Sequence, residues 1–196
     1  MDAAYVEKQE KSFWKLIDKS KEESETTKEQ LEELTALLSV KSEEELVAFE
    51  INLRKNLKTL NQPQMVALCA ILGSPFKVDK DRVRFPKHPT LNGFLYFKCW
   101  MVLQGKEIIE NAIKDIQTLR DADVNIETVK AEGLLHATQS AFNPDDEDDI
   151  IIKAANKFDK KLNYDLEEVL PDEGVDYDNL DVKYPDLVKT VVELGE

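Results

Sequence analysis

Residues 42–60 read SEEELVAFEINLRKNLKTL, and this stretch decides the fold. Leu46, Phe49, Leu53, Leu57 and Leu60 recur at steps of three and four, which places them on one stripe of a 3.6-residue helix. Ser42 followed three residues later by Glu45 is a capping box. In that arrangement the hydroxyl satisfies one orphan amide of the first turn and the carboxylate reaches back to the cap's own amide. Glu43, Glu44 and Glu45 also sit where the positive end of the helix dipole favours acids. A helix with one apolar stripe must bury it against something, so the flanking elements decide the architecture.

Upstream, the pattern repeats. Thr26 and Glu29 form a second capping box, and Leu31, Leu34 and Leu38 continue as a stripe. Val6, Phe13, Trp14 and Ile17 mark one face of a first helix. Downstream, Pro63 suits a first helical turn, and a short apolar helix ends at Gly73. Pro75, Pro86 and Pro89 forbid a regular helix over 74–91, and weak alternation there predicts a small hairpin. The same stretch is locally basic, with Lys77, Lys80, Arg82, Arg84 and Lys87, read as solvated cations on a loop. Asn92 is the expected cap of an apolar helix through Leu95, Tyr96, Trp100 and Leu103. Gly105 should kink it or open a new helix carrying Ile108, Ile109, Ala112, Ile113 and Ile116. A further helix is expected from about Ile126 to Phe142, and shorter ones over 150–162 and 185–194. With 6 Gly and 7 Pro the chain lacks the turns that a sandwich or barrel needs. The expected fold is all-α, an irregular multi-helix bundle over 1–142 with an acidic, partly helical C-terminal appendage over 143–196 that packs on this core.

Charge divides the chain at the same place. The net charge is −14, of which residues 141–196 carry −11 and residues 1–140 carry −3. Such a balance repels nucleic-acid phosphates and anionic lipid heads, so direct nucleic-acid or membrane binding is not expected. The longest apolar runs are near ten residues, half of what a membrane span needs. The opening residues lack the basic-then-apolar pattern of a secretory leader, and Cys69 and Cys99 read as reduced core thiols. A cytoplasmic location is the expectation.

Signs of chemistry are few. His88 and His136 are the only histidines, and the glycines are too scattered for a phosphate cradle. An EF-hand loop needs glycine at its sixth position; counting from Asp145 that position is Ile150, and from Asp176 it is Asp181. Neither a metal nor another cofactor is expected, and no catalytic residues are assigned. Trp14 and Trp100 read first as core anchors, with a small-ligand pocket shared with Gln104 and His136 as the alternative.

The segments Phe13-Trp14-Lys15-Leu16-Ile17, Ala48-Phe49-Glu50 on to Leu60, Trp100-Met101-Val102-Leu103-Gln104-Gly105, and Ala131-Glu132-Gly133 follow one another in that order. Together they resemble the bacterial family called domain of unknown function 4240, over about residues 10–142. The resemblance implies a helical fold and a bacterial origin, and it carries over no catalytic residue. The acidic tail lies outside it.

The functional expectation is a non-enzymatic interaction protein that binds a basic protein partner, in the manner of an immunity protein neutralising a toxin. The expected surface comprises Asp145, Asp146, Glu147, Asp148, Asp149, Asp172, Glu173, Asp176, Asp178 and Asp181, with Tyr177 among the acids supplying contact area. The alternative is a regulatory or sensory module that binds a small ligand between helices.

Overall fold

The computed structural model describes residues 2–122, 128–143, 149–164, 167 and 169–195. The decisive stretch forms α3, Glu43–Thr59, and both halves of its capping box are made. Three helices precede or follow it closely: α1 spans Ala3–Glu22, α2 Thr27–Ser39 and α4 Pro63–Gly73. The capping box at Thr26 and Glu29 is also complete. A two-stranded antiparallel hairpin follows, β1 Lys77–Asp79 and β2 Arg82–Arg84, with Val78 opposite Val83. Then come α5 Leu91–Leu103, α6 Lys106–Lys114 and a 3-10 turn at Ile116–Asp121. A second 3-10 turn at Glu132–His136 leads into α7, Ala137–Phe142. The C-terminal segment holds α8 Ile150–Phe158, 3-10 turns at Lys160–Leu162 and Tyr177–Asn179, α9 Leu180–Lys183 and α10 Pro185–Gly195. The chain is mainly all-α, with one small sheet among the described residues.

α3 is the central element. It packs against α1, α5, α7 and α8, and this many neighbours bury more than its leucine stripe. Glu50, Asn52 and Arg54 go inside with Leu46, Phe49, Ile51, Leu53 and Leu57. α4 and α5 have no polar face to give to solvent, and both sink into the core. Phe97 and Trp100 pack at 5.7 Å between ring centroids, and Phe13 joins Trp14 at 4.8 Å and Phe49 at 4.7 Å. Each fully buried aromatic or aliphatic side chain contributes about 1.5–3 kcal/mol of transfer free energy.

Two local expectations give way, and the Gly105 junction takes one of its two expected forms. The cap of α5 is Thr90, whose Oγ1 accepts from the Gly93 amide at 3.0 Å, so Asn92 already lies inside the first turn. Gly105 opens α6 as a separate helix at φ +102. The helix expected from Ile126 does not run through: Ala131 donates its amide to the Tyr96 carbonyl at 3.0 Å, a pairing across to α5 that a helix would forbid. Gly133 then passes so close to Leu31 that a Cβ there would lie 3.1 Å from Cδ1. Regular α-helix begins only at Ala137, and residues 123–127 lie outside the described ones.

The C-terminal segment is docked on the core. Ile151 and Ala155 of α8 go against α3, while Leu180, Leu187, Val188 and Val191 join the same core cluster. α10 packs on the 3-10 turn at Ile116–Asp121 and on α4.

Candidate functional site

Two charged arrangements stand out, and the first joins the basic hairpin to the acidic tail. Asp181, in the first turn of α9, accepts from Arg82 Nε at 2.6 Å, Arg82 Nη2 at 2.8 Å and the Val83 amide at 2.9 Å. Arg82 Nη2 also reaches the Asp178 carbonyl and Asn179 Oδ1, and Arg84 Nη1 donates to the same Asp178 carbonyl. Hydrogen bonds from the Arg82 guanidinium hold the Asp181 carboxyl at about 2, well below its ordinary range. Beside this fork the Tyr177 ring stacks on His88, centroids 3.8 Å apart and planes 10° apart. The Tyr177 hydroxyl donates to Asp172 Oδ2 at 3.1 Å, and burial together with that carboxylate pushes the phenol upward.

The expected acidic surface is thereby sorted. Asp181 is spent on Arg82, and Tyr177 with Asp172 on holding the segment against His88. Asp176 is turned onto its own loop, where it caps the Asp178 amide and accepts from Asn179. Glu173 and Asp149 are exposed, and the Asp178 side chain is 91% exposed although Oδ1 lies 3.9 Å from Arg84. Asp145, Asp146, Glu147 and Asp148 lie outside the described residues. Both charge signals, the basic 77–87 stretch and the acidic tail, are visible in the sequence. Their pairing across about a hundred positions is not.

The second arrangement is interior. Arg54 and Glu50, one helical turn apart on α3, are 1% and 0% exposed and meet at 2.7 Å between Nε and Oε1. Thr138 of α7 donates its hydroxyl to Glu50 Oε2 at 3.0 Å. Arg54 Nη1 donates to Asn156 Oδ1 of α8 at 2.6 Å, and the Tyr164 ring lies 5.4 Å from its guanidinium carbon. Burial pushes the Glu50 carboxyl upward, opposed by the guanidinium and the Thr138 hydroxyl. Next to this pair, buried Lys98 bonds Glu167 at 2.7 Å and Asn61 Oδ1 at 3.3 Å. Arg54 also lines a cleft of about 150 Å³ together with Lys58, Asn61, Lys161, Tyr164 and Glu167. No periodicity in the sequence distinguishes these internal charges from the solvated ones, because Glu50 and Arg54 look like an ordinary surface pair of an exposed helix.

The pocket expected around Trp14, Trp100, Gln104 and His136 is not assembled. Trp100 is 0% exposed inside the core, because the C-terminal half of α5, from Phe97 to Leu103, is buried on every side. Gln104 is buried and turns its amide back onto the Trp100 carbonyl, at 3.1 Å. His136 is exposed on a 3-10 turn. Trp14 instead lines an open groove of about 760 Å³ along α1, with Glu10, Asp18 and Lys106. Cys69 and Cys99 are buried free thiols; burial pushes Cys69 up to about 12 and Cys99 higher still. Among the described residues no three His, Cys, Asp or Glu side chains gather as a metal site, and no helix is long and apolar enough to cross a membrane.

A family model described as protein of unknown function (DUF4240) matches residues 9–144. Comparison with curated proteins and with solved structures finds no match. The matched stretch runs from α1 to the end of α7. It contains Glu50, Arg54, Thr138 and the basic hairpin, whereas Asn156, Tyr177 and Asp181 come from the segment beyond it.

Proposed function

The chain belongs to the DUF4240 family, and we propose that it is a non-enzymatic interaction protein that engages a basic protein partner through its C-terminal acidic surface. One concrete form is an immunity-like protein of a bacterial cell, shielding a cationic active surface by charge complementarity. The observation that carries the reading is the fork of Asp181 on Arg82 and Val83. It neutralises the most basic stretch of the chain from within and fixes the acidic segment against a folded core. Glu173 and Asp178 remain exposed on that segment, and Asp176 lies between them. Fixed carboxylates steer a cationic partner without the ordering cost that a loose tail would carry. The exposed acids therefore bind, while Asp181, Tyr177 and Asp172 position them.

The test compares wild type with the E173Q/D176N/D178N variant as bait in cell extract, followed by association kinetics with any retained protein. A retained partner of basic composition, whose association slows with added salt and is lost with the variant, is the expected result. A partner that binds the variant as fast as wild type at low salt overturns the reading, as does a partner of acidic composition.

A further inference from the structure

We propose that Arg54 anchors a binding site for a small oxyanion of the phosphate class, in the cleft lined by the C-terminal half of α3, residues 161–164 and Glu167. The argument begins with donors. A guanidinium carries five N–H groups in a planar fork and cannot be deprotonated in a protein. Arg54 Nε is spent on Glu50 and Nη1 bonds Asn156, but Nη2 is buried and has no partner among the described residues. Buried polar atoms are almost always bonded, so such an orphan calls for an explanation. Among the described residues the indole N–H of Trp100 also has no partner, but it is a single neutral donor, whereas Nη2 belongs to a buried cation.

Charge points to the class of ligand. Glu50 balances Arg54, and Lys98 balances Glu167. Lys58 and Lys161 line the same cleft; Lys58 Nζ donates one N–H to the Lys161 carbonyl at 3.0 Å, and neither ammonium has a carboxylate partner among the described residues. Among the described residues the cleft thus holds two positive charges with no carboxylate partner, in a chain whose net charge is −14. Asn61 adds direction: its Oδ1 accepts from Lys98, which leaves the donor half of its amide for an acceptor in the cleft. Arg54 Nη2, the Asn61 amide and the two ammonium groups are all donors, and an oxyanion is the matching acceptor. A volume of about 150 Å³ equals about five waters, enough for one tetrahedral oxyanion and its hydration but not for a nucleotide. Two exposed ammonium groups lining the cleft with the buried guanidinium suit a dianion better than a carboxylate. Arg54 lies in the family-matched stretch and Lys161 beyond it, so an occupied site also ties the C-terminal segment to α3. This proposal is independent of the partner-binding surface, and neither falls with the other.

Calorimetric titration of the full chain with inorganic phosphate at neutral pH and constant ionic strength tests it, with acetate, chloride and methyl phosphate as parallel ligands. One site is expected, with a Kd below about 1 mM and acetate and chloride at least about tenfold weaker. Methyl phosphate binding as well as phosphate assigns the site to the terminal group of a larger molecule, and methyl phosphate failing assigns it to the free ion; either supports the oxyanion. Arg54 substitutions strand Glu50 and risk unfolding, so the deciding variant is K58Q/K161Q, two exposed lysines. It should weaken phosphate at least about tenfold, while K8Q/K11Q, with the same charge change on α1, should not. Phosphate should also slow amide exchange over 160–164 in wild type. Absence of binding up to about 10 mM overturns the proposal. So does equal weakening by both lysine pairs, or no weakening by K58Q/K161Q.

Discussion

Asp181 grips Arg82 from both carboxylate oxygens, accepting from Nε and Nη2, and takes a third hydrogen bond from the amide of Val83. A two-stranded hairpin alone is marginal in water. Here its second strand is fastened to a helix from the far end of the chain, and α9 packs on β2. The fork therefore does two things at once. It orders the hairpin, and it holds α9 in place ahead of α10, which packs on the core.

Replacing Asp181 by Asn should cost about 1 kcal/mol at neutral pH, since the pair is partly exposed and screened yet bidentate. The sign with pH follows from the depressed carboxyl. Its contribution is complete above the ordinary aspartate range near about 4 and is lost as pH falls towards about 2. Melting temperatures of wild type and D181N should differ at pH 5 to 7 and converge at about pH 2. A gap that survives full acidification would mean that Asp181 acts through shape, not charge.

Gly105 carries the strongest backbone demand in the helical core. Its φ of +102 is a region that side chains rarely adopt, and an added Cβ would lie 3.2 Å from Asp18 Oδ1. G105A should destabilise by about 1–3 kcal/mol, read from the midpoint of urea unfolding at unchanged slope. A variant as stable as wild type would show that the α5–α6 junction relaxes freely.

The helices were legible wherever local chemistry is sufficient. Ser42–Glu45 and Thr26–Glu29 announce their helix starts because a capping box is complete within four residues. The 126–142 stretch misled because its irregularity has a tertiary origin: the Ala131 amide is taken by Tyr96 of α5, a bond that no window of sequence contains. Trp100 could be placed in a core but not excluded from a pocket, since a strongly apolar helix does not announce how many of its faces are covered. The acidic tail was legible as charge. What it pairs with was not, because a solvated aspartate and Asp181 have the same neighbours in sequence until Arg82 is brought beside it. Glu50 and Arg54 are the sharpest case. Their spacing is that of an ordinary surface pair, and only the packing of α7 and α8 over α3 takes them out of water.

That burial makes a prediction about coupling. Glu50 and Arg54 are fully enclosed, so removing either partner leaves the other as an uncompensated charge in the interior. Each of E50Q and R54M should cost about 3–5 kcal/mol, near the whole stability of many domains. The double variant E50L/R54M removes both charges and replaces them with apolar volume. It loses the Thr138 and Asn156 hydrogen bonds but strands no charge. Its cost should therefore fall well below the sum of the two single changes, by several kcal/mol, because residues in direct contact do not add. Urea unfolding of the four proteins, each first checked for helical content by circular dichroism, measures the difference. If the two single costs simply add, the pair is not coupled and the interior around α3 is wetter than its packing implies. If the double variant is as stable as wild type, the charges are not needed for folding, and their retention in the core points to a ligand at Arg54.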